Sequence, residues 1–259
     1  MPRISGIRAW LSIRLLGRPT ARVTSGAASE RTGCDDERVD YVDALVTLGR
    51  VTAEQWGLVT AEQAEQAGVD EVCLGGLVRS GVLVLVGAHV FQLAGAPLPP
   101  HLEIKVAWLQ LEPGTPAWQR LTGNSGVISH SSACRLHGLG DLPVGTVEMF
   151  AAASTVEAGV RVHHEPRPAR GQTTVVDGLP VTTAGRTITD LLHTGLDGGH
   201  VGGVLADAAR LGLVDLQSLA QQVGVFASAY GLPASASGHD LIRRLLADAG
   251  EQSSAPVVG

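Results

Sequence analysis

Up to about Ala96 the apolar residues recur at helical spacing, and beyond it they fall into short runs separated by turn residues. That switch predicts an α+β protein: an N-terminal winged helix-turn-helix, then a mixed domain with a small antiparallel sheet and flanking helices. Tyr41 to Leu45 and Leu48 give a first helix. A helix starting at Thr60 sets Ala61, Ala64 and Ala67 on a packing stripe, and Gly68 ends it through the left-handed conformation other residues resist. Asp70 then caps a second helix with Leu74, Leu77 and Val78 on one face. Its other face holds Val72, Gly75, Gly76, Arg79 and Ser80, and in a helix-turn-helix that face meets the major groove. Gly81 closes the helix; Val82 to Val86 and His89 to Leu93 form two strands about a Gly87-Ala88 loop, the wing.

Pro97, Pro99 and Pro100 read as a linker. Past it, Val127-Ile128 is a short buried strand, Ser129 caps a helix through His137, and Gly138 stops that helix. Val147 to Phe150 and Val160 to His163 are strand candidates, while Thr173 to Val176 and Leu179 to Val181 flank Asp177-Gly178, the strongest hairpin signal in the chain. Thr183 caps a helix carrying Ile188, Leu191 and Leu192, and helices over Val201 to Leu211, Leu216 to Val223 and Asp240 to Ala247 follow. The expected organisation is a disordered basic tail over 1–38, a winged helix-turn-helix over 39–96, an α+β domain over 101–223, and a linker, short helix and frayed terminus over 224–259.

Four strings occur in a recognisable order: Trp56-Gly-Leu-Val-Thr-Ala-Glu-Gln-Ala64, Phe91-Gln-Leu-Ala-Gly95, Ser129-His-Ser-Ser-Ala-Cys-Arg-Leu-His-Gly138 and Gly178-Leu-Pro-Val-Thr-Thr-Ala-Gly-Arg-Thr-Ile-Thr-Asp190. In order and spacing the chain resembles the AbiEi-type antitoxins of actinobacteria, over residues 39–222. The resemblance implies the antitoxin half of a type IV toxin–antitoxin system used in phage defence. It implies a winged helix that binds promoter DNA and represses its operon, and a second domain that assists repression and carries the antitoxic activity. It also implies a nucleotidyltransferase toxin as functional partner, countered without direct contact, and a cytoplasmic protein. A dimer on DNA is one arrangement this would allow.

Charge complicates that picture. Between Val39 and Ala94, Asp40, Asp43, Glu54, Glu62, Glu65, Asp70 and Glu71 face only Arg50 and Arg79, a net charge of −5. A DNA-gripping module usually carries the opposite sign, because neutralising phosphates releases counterions. On the winged helix the expected DNA contacts are Arg79, Ser80, Gly75, Gly76 and His89. Further phosphate contacts would come from Arg161, Arg167 and Arg170, or from the first 31 residues, which hold six Arg against Glu30. Two alternatives stand beside the repressor: a winged-helix protein-interaction module that has lost strong DNA binding, and a remnant of a nuclease-fused relative.

At 259 residues and 44% hydrophobic the chain can bury a sizeable core, and it contains no 18-residue apolar run to span a membrane. Three cysteines without a Cys-x-x-Cys pair fit a reducing compartment and no structural zinc. Neither a metal site, a cofactor nor catalytic residues are expected. His130 and His137 stand about two helical turns apart, and adjacent His163 and His164 point to opposite sides of a strand. Arg186 and Asp190, four apart, read as a surface pair on one helix. Gly198-Gly-His-Val-Gly-Gly203 follows no expected strand, which weakens a phosphate-loop reading.

Overall fold

The computed structural model describes residues 36–121, 126–152 and 159–254. The basic tail up to residue 35 and the terminal residues 255–259, both subjects of expectations above, lie outside the described residues. The described residues from Val39 onward form one compact unit.

The chain begins α1 (Asp36–Ala53), β1 (Leu58–Thr60), α2 (Ala61–Gln66), α3 (Glu71–Arg79), β2 (Leu83–Gly87), β3 (Val90–Leu93). Local chemistry explains each break. Thr60 closes a capping box, its hydroxyl accepting from the Gln63 amide while the Gln63 side chain accepts from the Thr60 amide. Gly68 takes φ +84°, and Asp70 caps α3 by accepting from the Cys73 amide at 2.8 Å. Leu48, Val59, Ala64, Leu74, Leu77 and Leu83 then close a small core between these helices and the strands.

The three strands order as β1-β3-β2, all antiparallel. β1 was not foreseen, since all three of its residues are buried and none gives the alternation that marks a half-exposed strand. The hairpin turns on Ala88-His89, one residue later than the expected Gly87-Ala88. Gly87 stays in the strand because of a neighbour: a Cβ there would lie 2.3 Å from Val106 Cγ1. Its smallness serves close packing, and the positive φ of the turn falls on His89 instead, at 56°.

That neighbour belongs to α4 (Leu102–Leu111), a helix the polar–apolar pattern did not reveal. Residues Ile104 to Leu109 are all buried, because α4 packs against β2 and β3 on one side and the next sheet on the other. A helix covered on both sides has no stripe to read.

Beyond it run β4 (Val127–Ile128), α5 (His130–His137), β5 (Val147–Phe150), β6 (Val160–His163), β7 (Thr173–Val176), β8 (Leu179–Thr182), α6 (Ala184–His193), α7 (Gly198–Arg210), α8 (Leu216–Val223) and α9 (Gly238–Ser254). The sheet expected to be small and antiparallel is a five-stranded mixed one, ordered β6-β5-β4-β8-β7. β4 with β5 and β7 with β8 are antiparallel, whereas β4 with β8 and β5 with β6 are parallel. The β7–β8 hairpin forms at Asp177-Gly178, both at positive φ as that dipeptide favours. The parallel pairs join strands that no short turn connects, so local turn signals could not announce them.

Helices α6 to α9 pack around Val201, Val204, Leu205, Leu219, Leu241 and Leu245. The glycine repeat at 198–203 is helical. A Cβ on Gly202 would meet the Leu245 carbonyl oxygen at 1.9 Å, so glycine here permits α7 and α9 to touch and cradles no phosphate. Among the described residues no helix is long and apolar enough to cross a membrane.

Candidate functional site

The residues expected to meet DNA divide between two places. Gly75, Gly76, Arg79 and Ser80 share the outward face of α3 with exposed Val72. A Cβ added to Gly75 would sit 3.3 Å from Arg79 Nη1, so the guanidinium lies back over a flat glycine surface. The Ser80 hydroxyl donates to the Leu77 carbonyl at 3.0 Å, closing the helix. His89 stands exposed at the hairpin tip, and Gln110 of α4 holds that tip by donating to the Ala88 carbonyl at 3.1 Å. Val84 and Leu85 on β2 are half exposed.

Arg161, Arg167 and Arg170 belong to the other sheet. Arg161 sits on edge strand β6 and pairs with Glu148 at 3.5 Å; Arg167 and Arg170 are exposed on the loop after it. This loop is tied down from beneath by Arg186, read above as half of a surface pair. Arg186 and Asp190 are in fact buried, with Nε donating to Oδ1 at 2.7 Å. The fork of the guanidinium explains the burial: Nη1 donates to Gln172 Oε1 at 2.8 Å and to the Arg167 carbonyl, and Nη2 donates to the Pro166 carbonyl. Five fixed donors can serve a carboxylate and loop carbonyls together, which a lysine could not. Burial pushes the Asp190 carboxyl up, and Arg186 offsets part of that rise.

The densest chemistry was missed by the sequence. Ser129 was expected to cap α5, but its side chain makes no cap bond; its hydroxyl lies 2.9 Å from His130 Nδ1. Glu148, from the neighbouring strand β5, does the capping. Its Oε2 accepts from the Ser131 amide at 3.1 Å and the Ser131 hydroxyl at 2.5 Å, placing a carboxylate at a helix N-terminus where the helix dipole favours it. Its Oε1 lies 3.3 Å from His163 Nε2 and 3.5 Å from Arg161 Nη1. His130, at φ 51° and only 5% exposed, stacks on the His163 ring at 3.8 Å with the planes 15° apart. Phe150 flanks both rings. His137, in the last turn of α5, places Nε2 2.8 Å from the Thr182 carbonyl oxygen of β8.

The possible ligand atoms of His130, Glu148 and His163 all lie within 4.8 Å of one another. The ring geometry opposes a shared ion. A metal sits in the plane of each imidazole that binds it, at about 2.0–2.1 Å, and two nearly parallel stacked planes have no such point in common. What the arrangement governs is protonation, keeping both His130 and Glu148 in their deprotonated forms at neutral pH. Burial, followed by the charge of His163, lowers His130 to about 4. Burial disfavours the Glu148 carboxylate, yet bonds from His163 and Ser131 outweigh it and bring Glu148 down to about 2.

A signal for this cluster existed in the sequence: Glu148 interrupts an otherwise apolar strand, and a buried carboxylate requires partners. Nothing local says which partners those are. No family model matches the chain, and no curated protein matches it.

Proposed function

We propose that the protein binds duplex DNA, using residues 39–96 as a winged helix, and that it represses its own operon in the manner the resemblance to AbiEi-type antitoxins implies. The observation that carries this reading is topological. The order α1-β1-α2-α3-β2-β3, with β1 laid against β3 beside the hairpin, supports this reading, since a winged helix would have that order and would use α3 to read the groove. Arg79 is the one exposed cation on that face and has the fork that pairs with a guanine edge.

An acidic module needs phosphate contacts from elsewhere; Arg167 and Arg170 would offer them from a loop already fixed by Arg186, and Arg161 from the exposed edge strand beside it. Preorganisation lowers the entropy lost on binding. The test is a titration of DNA from upstream of the gene at two salt concentrations. Arg79→Ala should weaken the cognate site by about 1–3 kcal/mol and relax base preference, whereas each phosphate-contacting arginine removed should lower the salt slope by about 1. No binding by wild type at low salt overturns the proposal.

A second reading has its own observation. Val72, Val84 and Leu85 are exposed on a module of net charge −5, a surface suited to a protein partner. Under it, Leu85→Asp abolishes partner capture or self-association while the melting temperature holds, and the DNA titration is blank.

A further inference from the structure

We propose that His130, Glu148 and His163 form a proton-sensitive joint between α5 and the edge of the five-stranded sheet, firm while His130 is uncharged and weakened when acid charges it. The geometry sets a carboxylate against His163 and leaves His130 stacked and buried. Every group facing the stack can be assigned. From β5 comes Glu148, whose Oε1 meets His163 and Arg161 and whose Oε2 is taken twice by Ser131. From β6 come Arg161 and His163 itself, and from α6 come Arg186 and Asp190, paired with each other. α5 contributes the Ser129 hydroxyl, beside Nδ1 of His130. His163 thus lies against a carboxylate, with its Nε2 3.3 Å from Glu148 Oε1. A proton on His130 would sit in a buried place against the partner ring at 3.8 Å and near two guanidiniums, and the attraction of the Glu148 carboxylate offsets only part of that cost.

Hydrocarbon would stack here as well. His130 packs on Phe150 as well as on His163, so a phenylalanine would supply the same contacts without titrating. His130 also begins α5 in the left-handed region at φ 51°, a conformation that the surrounding packing must hold against a steric cost. Charging the ring works against that hold, and because α5 starts from the same residue, the strain has somewhere to go.

The folding consequence has a definite sign. The unfolded chain takes up a proton at the ordinary histidine value, 6.5, while the folded chain resists until about 4. Stability is therefore lost progressively as pH falls from 6.5 toward 4.

Urea unfolding of wild type and His130→Phe at pH 7 and pH 5 tests the proposal. The folding equilibrium constant of wild type should fall about twentyfold more over this interval than that of His130→Phe, the linkage value for one such histidine. Equal falls in the two proteins overturn it. If His130→Phe does not fold, the imidazole resonances of wild type decide. A His130 signal still in its neutral form at pH 5 supports the joint, and one that titrates at the ordinary histidine value overturns it.

Discussion

The outer face of α3 and the seam beneath α5 make opposite use of functional groups. Across α3 and the hairpin a partner would meet two glycines, Val72, Val84, Leu85 and a single guanidinium. Beneath α5, two histidines, a glutamate and two serines are committed to one another within a few ångströms, almost out of reach of water. Density of chemistry and access to a partner are separate properties here. The rich cluster joins a strand edge to a helix start, and the sparse surface is the exposed one. A carboxylate among histidines invites a catalytic reading, but these bonds are already made inside the fold and the rings are stacked face to face.

The contrast can be broken most severely at Glu148. Glu148→Gln removes the charge that answers His163 and Arg161 and caps α5, and breaking a buried pair on one side costs about 3–5 kcal/mol. Chemical denaturation should show that loss; a change under 1 kcal/mol would mean the cluster is not holding the edge. A middle-sized effect is expected where the two sheets meet. There Lys105 is fully buried, bonded to the Pro100 carbonyl at 2.9 Å and to Asp177, and lies 5.2 Å from the Trp56 ring centre. Lys105→Met keeps the volume and strands only a partly exposed Asp177, so the loss should be about 1–3 kcal/mol in the same assay. The smallest effect belongs to the sparse face. Gly75→Ala should gain up to about 1 kcal/mol in helix preference, the 3.3 Å approach to Arg79 being relieved by a shift of its flexible head. If DNA affinity falls while stability rises, the flat surface serves binding.

What the sequence disclosed was whatever is decided within a few residues. The caps at Asp70 and Thr183, the stop at Gly68 and the Asp177-Gly178 turn all depend on neighbours in the chain, and all are where they were expected. What it concealed depends on distant partners. α4 showed no stripe because two sheets cover it, Gly87 looked like a turn residue because Val106 is remote in sequence, and the parallel pairing of β4 with β8 joins segments some fifty positions apart. The same rule applies to the sites. Arg79 could be placed on a helix face by counting, whereas Glu148 could be matched to neither histidine until β5 and β6 lay side by side. Arg186 was assigned the correct partner, Asp190, at the correct spacing. Its burial follows from the loop carbonyls that spacing cannot show.

Lys105 is the only lysine in the chain, the other 18 basic residues being arginines. Its amine is wholly enclosed at the junction where Trp56 also donates to the Asp177 carbonyl at 3.1 Å. Amine-directed reagents therefore have a single side-chain target, and they reach it only when α4 parts from the β7–β8 turn. In the intact protein acylation should stop at the terminal α-amino group, and the slow appearance of a second adduct would time the opening of that junction. The chain thus carries its own chemical clock for the separation of its two sheets.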